Sequence, residues 1–228
     1  MKDKKIAFFD FCETLIGFQT ADAFVNYILK QTVDSHRRLK WPLCLYIFLS
    51  RIKVLNFLDK VTRHKYSINK RLVLLQLRNQ KEIVLKKLAV SYYQDVIKPN
   101  IIHPMLELLK EKQKDAWKIV IVSGGYDIYI HLFAKEFNVD GIISSQIEFK
   151  NGICTGCIKG LDCLGKNKVL LLNKQYDREF ISSIAYSDSI TDLPLLKWVN
   201  EGWVVSKDKS QLWAKNHNLK EIIWTEKK

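Results

Sequence analysis

From Trp117 onward, short apolar runs alternate with helical stretches, and that alternation constrains the fold more than any other feature of the chain. Residues 118–122 read as a strand and 125–137 as a helix. Residues 140–147 and 153–158 flank the turn Lys150-Asn151-Gly152. A helix over 167–173, a strand over 181–186 and a helix over 192–199 follow. A strand at 203–205, a helix near Gln211 and a strand at 222–224 finish the chain. A further apolar run, residues 6–9, opens it as a short buried strand. Such a pattern predicts an α/β fold, a three-layer Rossmann-like core around a mostly parallel, doubly wound sheet. With 228 residues, 47% of them hydrophobic, the chain can fill one such core and an insertion.

The insertion is visible as texture. Residues 20–95 are periodic, with Pro42 the one Gly or Pro among them, and read as several helices. The expected division is a core of residues 1–18 and 96–228 with an all-helical cap of residues 19–95 between its first two strands. Charge is concentrated there. Between Lys30 and Lys87 fifteen Lys/Arg face three acids, which leaves +12 of the total of +13 in that stretch. Such a field attracts anions: phosphorylated small molecules, lipid-linked phosphates or an anionic membrane surface. A solvated helical face is the plainer alternative.

The apolar segment from Trp41 to Leu49, with basic residues on both sides, is too short to span a bilayer. It suits either a helix lying in a membrane surface or a buried cap helix. No nucleic-acid-binding module accompanies the charge, so no nucleic-acid partner is expected. The five cysteines are an odd number and widely spread, and Met1-Lys2-Asp3-Lys4-Lys5 is no secretory leader. A cytoplasmic protein is expected, at most peripheral to the inner face of the membrane.

Asp10 ends the first apolar run, where open α/β sheets place their ligands. A carboxylate there can act as nucleophile, as metal ligand, or as both. The strand 119–122 runs into Ser123-Gly124-Gly125, expected at a helix start, where a hydroxyl and free N–H groups make an anion site. The segment Cys163-Leu164-Gly165-Lys166-Asn167-Lys168 opens a helix and offers two lysines to neutralise phosphate charge. In Ser187-Asp188-Ser189-Ile190-Thr191-Asp192 two aspartates, four apart at a strand end, can face one cation together with Asp10. Oxygen donors and sparse protein ligation favour Mg²⁺. Cys154 and Cys157 lack the further ligands that structural zinc needs and read as buried hairpin cysteines. Glu13 leaves the strand on the side opposite its neighbours and should miss the site.

These four segments, in this order and with a helical insert after the first, resemble the haloacid dehalogenase superfamily. The likeness is to subclass IB, the branch of C-type phosphatidylglycerophosphatases and phosphoserine phosphatases. It implies an Mg²⁺-dependent phosphatase of a phosphate monoester with a phospho-aspartyl intermediate. By that resemblance Asp10 attacks phosphorus and binds metal, Asp188 ligates Mg²⁺, and Asp192 supports the site either as a ligand or by holding its neighbours. Ser123, Gly124 and Lys168 hold the phosphoryl group. The branch pattern Cys-x-Gly-x-x-Lys-Val selects Lys168, whereas a phosphoserine-phosphatase-like alignment selects Lys166. Two departures stand out. The family's second aspartate, its general acid/base, is Cys12 here, which leaves only a backbone carbonyl for the metal. The acid that meets a substrate amine in phosphoserine phosphatases is Gln19, which disfavours an amino-acid phosphate. The alternative function is an impaired member that binds a phosphate ligand or a membrane surface.

Overall fold

The computed structural model describes residues 5–32, 68–176 and 182–225. The cap segment 41–49, its basic flanks and Cys44 lie outside them. Among the described residues seven strands form one sheet: β1 (Lys5–Phe9), β2 (Lys118–Tyr126), β3 (Gly141–Lys150), β4 (Ile153–Lys159), β5 (Ser182–Ser187), β6 (Glu201–Lys207) and β7 (Lys220–Trp224). Their spatial order is β4-β3-β2-β1-β5-β6-β7. Neighbours pair in parallel except β3 and β4, an antiparallel hairpin. Asn151 and Gly152 close that hairpin with φ of 51° and 73°, the left-handed pair a two-residue type I′ turn requires. The α/β architecture expected from the alternation is the one observed.

β1 lies at the centre and is buried on both faces, as its unbroken apolar run requires. Successive side chains divide between the two faces. Ile6 and Phe8 join Val120, Val122 and Ala185 in one cluster, covered by α6 (Lys166–Gln175), α7 (Leu193–Leu196) and α8 (Leu212–Asn216). Ala7 and Phe9 join Ile119, Ile121 and Tyr186 in the other, covered by α4 (His103–Lys114) and α5 (Asp127–Glu136).

Within residues 19–95 the described α-helices are α1 (Thr20–Gln31), α2 (Ile68–Leu75) and α3 (Glu82–Tyr92). They bury Phe24, Val25, Val73, Leu74, Leu85 and Tyr92 in that second cluster, so their apolar faces are continuous with the core. The Phe24 ring lies 5.2 Å from the rings of both Tyr92 and Tyr129, which ties α1 to α3 and α5. No helix among the described residues is long and apolar enough to cross a membrane.

Three expectations are corrected. The helix expected from Gly125 starts at Asp127, because β2 continues through a register shift after Ser123 to pair Tyr126 with Ser145. The helix expected over 192–199 is a 3₁₀ turn, Ile190–Asp192, and the single turn of α7. It stops early so that Trp198 and Val199 can enter the sheet cluster. Cys154 is buried but Cys157 is exposed, since residues three apart on β4 face opposite ways.

Candidate active site

β2, β1 and β5 lie side by side, and their carboxyl ends deliver Ser123, Asp10 and Asp188 to one cleft of about 230 Å³. Strand order reverses at β1, with β2 to β4 on one side and β5 to β7 on the other. This is the switch point at which open parallel sheets bind ligands.

Asp10 is held by its backbone and by one cation. Its N–H donates to the Tyr186 carbonyl at 2.9 Å, and the Phe11 N–H donates to its Oδ1 at 2.7 Å. Lys168 Nζ stands 3.0 Å from the same oxygen. Lys168 is 2% exposed, and its ammonium also donates to Asp192 Oδ2 at 2.5 Å. That oxygen accepts from Ser187 Oγ at 2.7 Å. Burial works against the lysine charge, but Asp10 and Asp192 outweigh it and hold its pKa above the ordinary value. Of the two lysines the sequence offers, Lys168 enters the cleft, while Lys166 is exposed at the first position of α6.

The other acids are unevenly compensated. Burial pushes the Asp10 carboxyl up to about 6 against the pull of Lys168. Burial, followed by the charge of Asp10, pushes Asp188 up to about 8. Asp188 Oδ1 accepts from Thr14 Oγ1 at 3.2 Å, and its N–H donates back to that hydroxyl at 3.1 Å. Among the described residues no three His, Cys, Asp or Glu side chains form a metal-holding group. Asp192 gives Oδ2 to Lys168 and Ser187, the place of the supporting residue rather than the ligand among the two roles expected of it. Asp10 and Asp188 nevertheless both line the cleft as oxygen donors, the donor type that fits a hard ion such as Mg²⁺.

Cys12 is 7% exposed, and its Sγ lies 3.1 Å from Thr20 Oγ1. Thr20 Oγ1 in turn lies 2.7 Å from the Tyr129 hydroxyl, which accepts from the Tyr126 N–H at 2.9 Å. Burial, then the Asp10 charge, push the thiol up to about 11. A neutral thiol therefore stands where an aspartate is expected. Glu13 is exposed and accepts from Gln19 Nε2 at 2.8 Å, outside the cleft lining.

Ser123 Oγ accepts from the Gly125 N–H at 3.0 Å. This loop does not sit on a helix N-terminus as expected, because α5 begins at Asp127. A Cβ on Gly125 would meet the Tyr129 hydroxyl at 3.0 Å and Thr20 Oγ1 at 3.1 Å, so a glycine lets the loop lie against α1.

Sequence reasoning missed the wall opposite. Asp22 on α1 and Asn69 and Lys70 on α2 line the same cleft as Gln19. Lys70 Nζ donates to Asp162 Oδ1 and to the Gly124 carbonyl, both at 2.5 Å, and to Ser145 Oγ at 2.9 Å. A lone lysine in a basic helical block carries no motif. The charge excess was the sole signal.

Residues 7–197 match the haloacid dehalogenase-like hydrolases, and the chain belongs to that family of enzymes. A phosphoserine phosphatase of Methanocaldococcus jannaschii is 23% identical, over 97% of this chain and 97% of its own length. That of Haemophilus influenzae is 30% identical over 95 residues, 40% of this chain and 30% of the relative's length. A solved protein of unknown function from Bordetella pertussis Tohama I superposes with a TM-score of 0.76. It covers 97% of this chain and 99% of its own at 18% identity, a likeness of fold.

Proposed function

We propose that this protein is an Mg²⁺-dependent phosphatase of a soluble phosphate monoester, acting through a phospho-aspartyl intermediate on Asp10. The observation that carries this reading is the Asp10 carboxylate at the end of the central strand, 3.0 Å from a buried ammonium. An Asp10 oxygen attacks phosphorus, so that an O–P bond forms as the ester P–O bond breaks. The Lys168 ammonium and the Ser123 hydroxyl face the phosphoryl oxygens and offset their charge. Water then attacks the same phosphorus, which frees inorganic phosphate and restores Asp10. Asp10, Asp188 and the Cys12 carbonyl would hold Mg²⁺, whose charge offsets that of the phosphoryl group. Residues 19–95 act as a cap, with Asp22 and Asn69 on the wall that faces the leaving group.

Similarity to the two phosphoserine phosphatases supports a phosphorylated small molecule as substrate. Gln19, in place of an acid, argues against an amino-acid phosphate. A lipid-linked phosphate at a membrane surface would draw on residues 37–53, outside those described, and is not adopted.

Cys12 favours a second reading, a protein that binds phosphate and no longer turns over. A positioned acid/base contributes about 10²–10⁴-fold, and a neutral thiol leaves most of that unfilled. A screen of phosphate esters with Mg²⁺ separates the two. Slow turnover is expected, best with good leaving groups such as p-nitrophenolate, and Cys12→Asp should raise it at least about tenfold. Fast wild-type turnover that Cys12→Asp does not improve would contradict this account of the cysteine. If neither form hydrolyses any ester yet both bind phosphate, the second reading stands.

A further inference from the structure

We infer that Lys70 is a positioning residue for the Ser123 hydroxyl, reaching from the helical insert into the core to set the donor that meets phosphate. The inference rests on Ser123 acting on the phosphoryl group as proposed above.

Lys70 is 6% exposed, and a buried ammonium is tolerated only where acceptors match it closely. An ammonium has three donors. Each has an acceptor on the core: the Gly124 carbonyl of β2, Ser145 Oγ of β3, and Asp162 Oδ1 just before α6. The first contact bears on the site. A peptide unit is planar, so holding the Gly124 oxygen also fixes the N–H of Gly125 on its opposite side. That N–H donates to Ser123 Oγ at 3.0 Å. With that lone pair engaged, the serine's proton remains to be donated into the cleft that Ser123 lines.

The second contact reaches the other phosphate-handling segment. Ser145 Oγ accepts from Lys70 and from the Cys163 N–H at 3.1 Å, and gives its own proton to Asp162 Oδ1 at 2.5 Å. Cys163 leads through Gly165 into the first turn of α6, which carries Lys168. One side chain from the insert therefore braces both loops that would grip phosphate. A plain strut joining insert to core would show the same ion pair but would not depend on Ser123.

The test uses the full chain with Mg²⁺ and inorganic phosphate as the probe, read by calorimetry, together with amide hydrogen exchange. Lys70→Met is expected to weaken phosphate binding at least about tenfold, as is Ser123→Ala. The double variant should lose no more than about threefold beyond the weaker single one, because both act through one hydroxyl. The Gly125 amide should exchange at least about tenfold faster in Lys70→Met, with the Asp10 amide unchanged. Additive losses, or native Gly125 exchange in a folded Lys70→Met protein, would overturn the inference. If Lys70→Met does not fold, Lys70→Gln decides: at least about tenfold weaker phosphate binding together with faster Gly125 exchange upholds it, and native values of both overturn it. Failure of both variants to fold would make Lys70 a strut and also overturn it. Wild-type protein that binds no phosphate would remove the phosphatase reading, and Gly125 exchange would still decide on Lys70.

Discussion

Asp10→Asn is expected to lower kcat for any ester the wild type hydrolyses by at least about 10³-fold, with little change in fold. The carboxamide has the shape of the carboxylate and keeps an oxygen for the Phe11 N–H. Lys168 loses one of its two anions but keeps Asp192. What disappears is the nucleophile, and a neutral amide cannot attack phosphorus at a useful rate. Steady-state hydrolysis, with a thermal melt as control for folding, checks this. Loss of less than about tenfold in a folded variant would mean that another group forms the bond to phosphorus.

Lys168→Met is expected to destabilise the protein by about 3–5 kcal/mol, the usual cost of removing one partner from a buried charge network. The methionine fills similar space, so the loss is electrostatic rather than a cavity. Asp10 and Asp192 would share a buried site with no cation between them, and Ser187 could satisfy only one of their oxygens. Urea unfolding should show a lower midpoint with an unchanged slope. Lys166→Met is the matched control. That residue is exposed two positions earlier on the same helix, and its replacement should stay within about 0.5 kcal/mol of wild type. A loss below about 1 kcal/mol for Lys168→Met would show that the Asp10–Lys168–Asp192 arrangement does not hold in solution.

The strands of this fold are legible in the sequence because a strand buried on both faces must be continuously apolar. β1 and the first half of β2 announce themselves that way, and with them the places of Asp10 and Ser123, whereas β5 carries three serines and is legible only from its place in the strand-helix alternation. Of Lys166 and Lys168, the helix sends only Lys168 into the cleft lining. Both belong to the first turn of α6, but two residues apart they point to different sides. Features set by distant parts of the chain are not legible. The burial of Lys70 depends on acceptors 54, 75 and 92 residues away. The surroundings of the Cys12 thiol depend on Thr20 and on Tyr129, which is 109 residues beyond Thr20. The Gly-Gly after Ser123 reads as a helix start in one dimension. The pairing of Tyr126 with Ser145 makes it a bulged strand instead. Helix α4 is assigned by no motif, although Pro104 in its first turn is a favoured starting residue.

The central claim is that Asp10 is the nucleophile, and the covalent intermediate is its most direct test. Wild-type protein mixed with Mg²⁺ and a phosphate ester with a good leaving group, then quenched in acid, is read by intact mass and peptide mapping. The expected result is a fraction of chains heavier by one phosphoryl group, carried on the peptide containing Asp10 and absent from Asp10→Asn. Turnover of the ester with no phosphoryl group on Asp10 at any quench time, or with the group on another residue, would contradict the account.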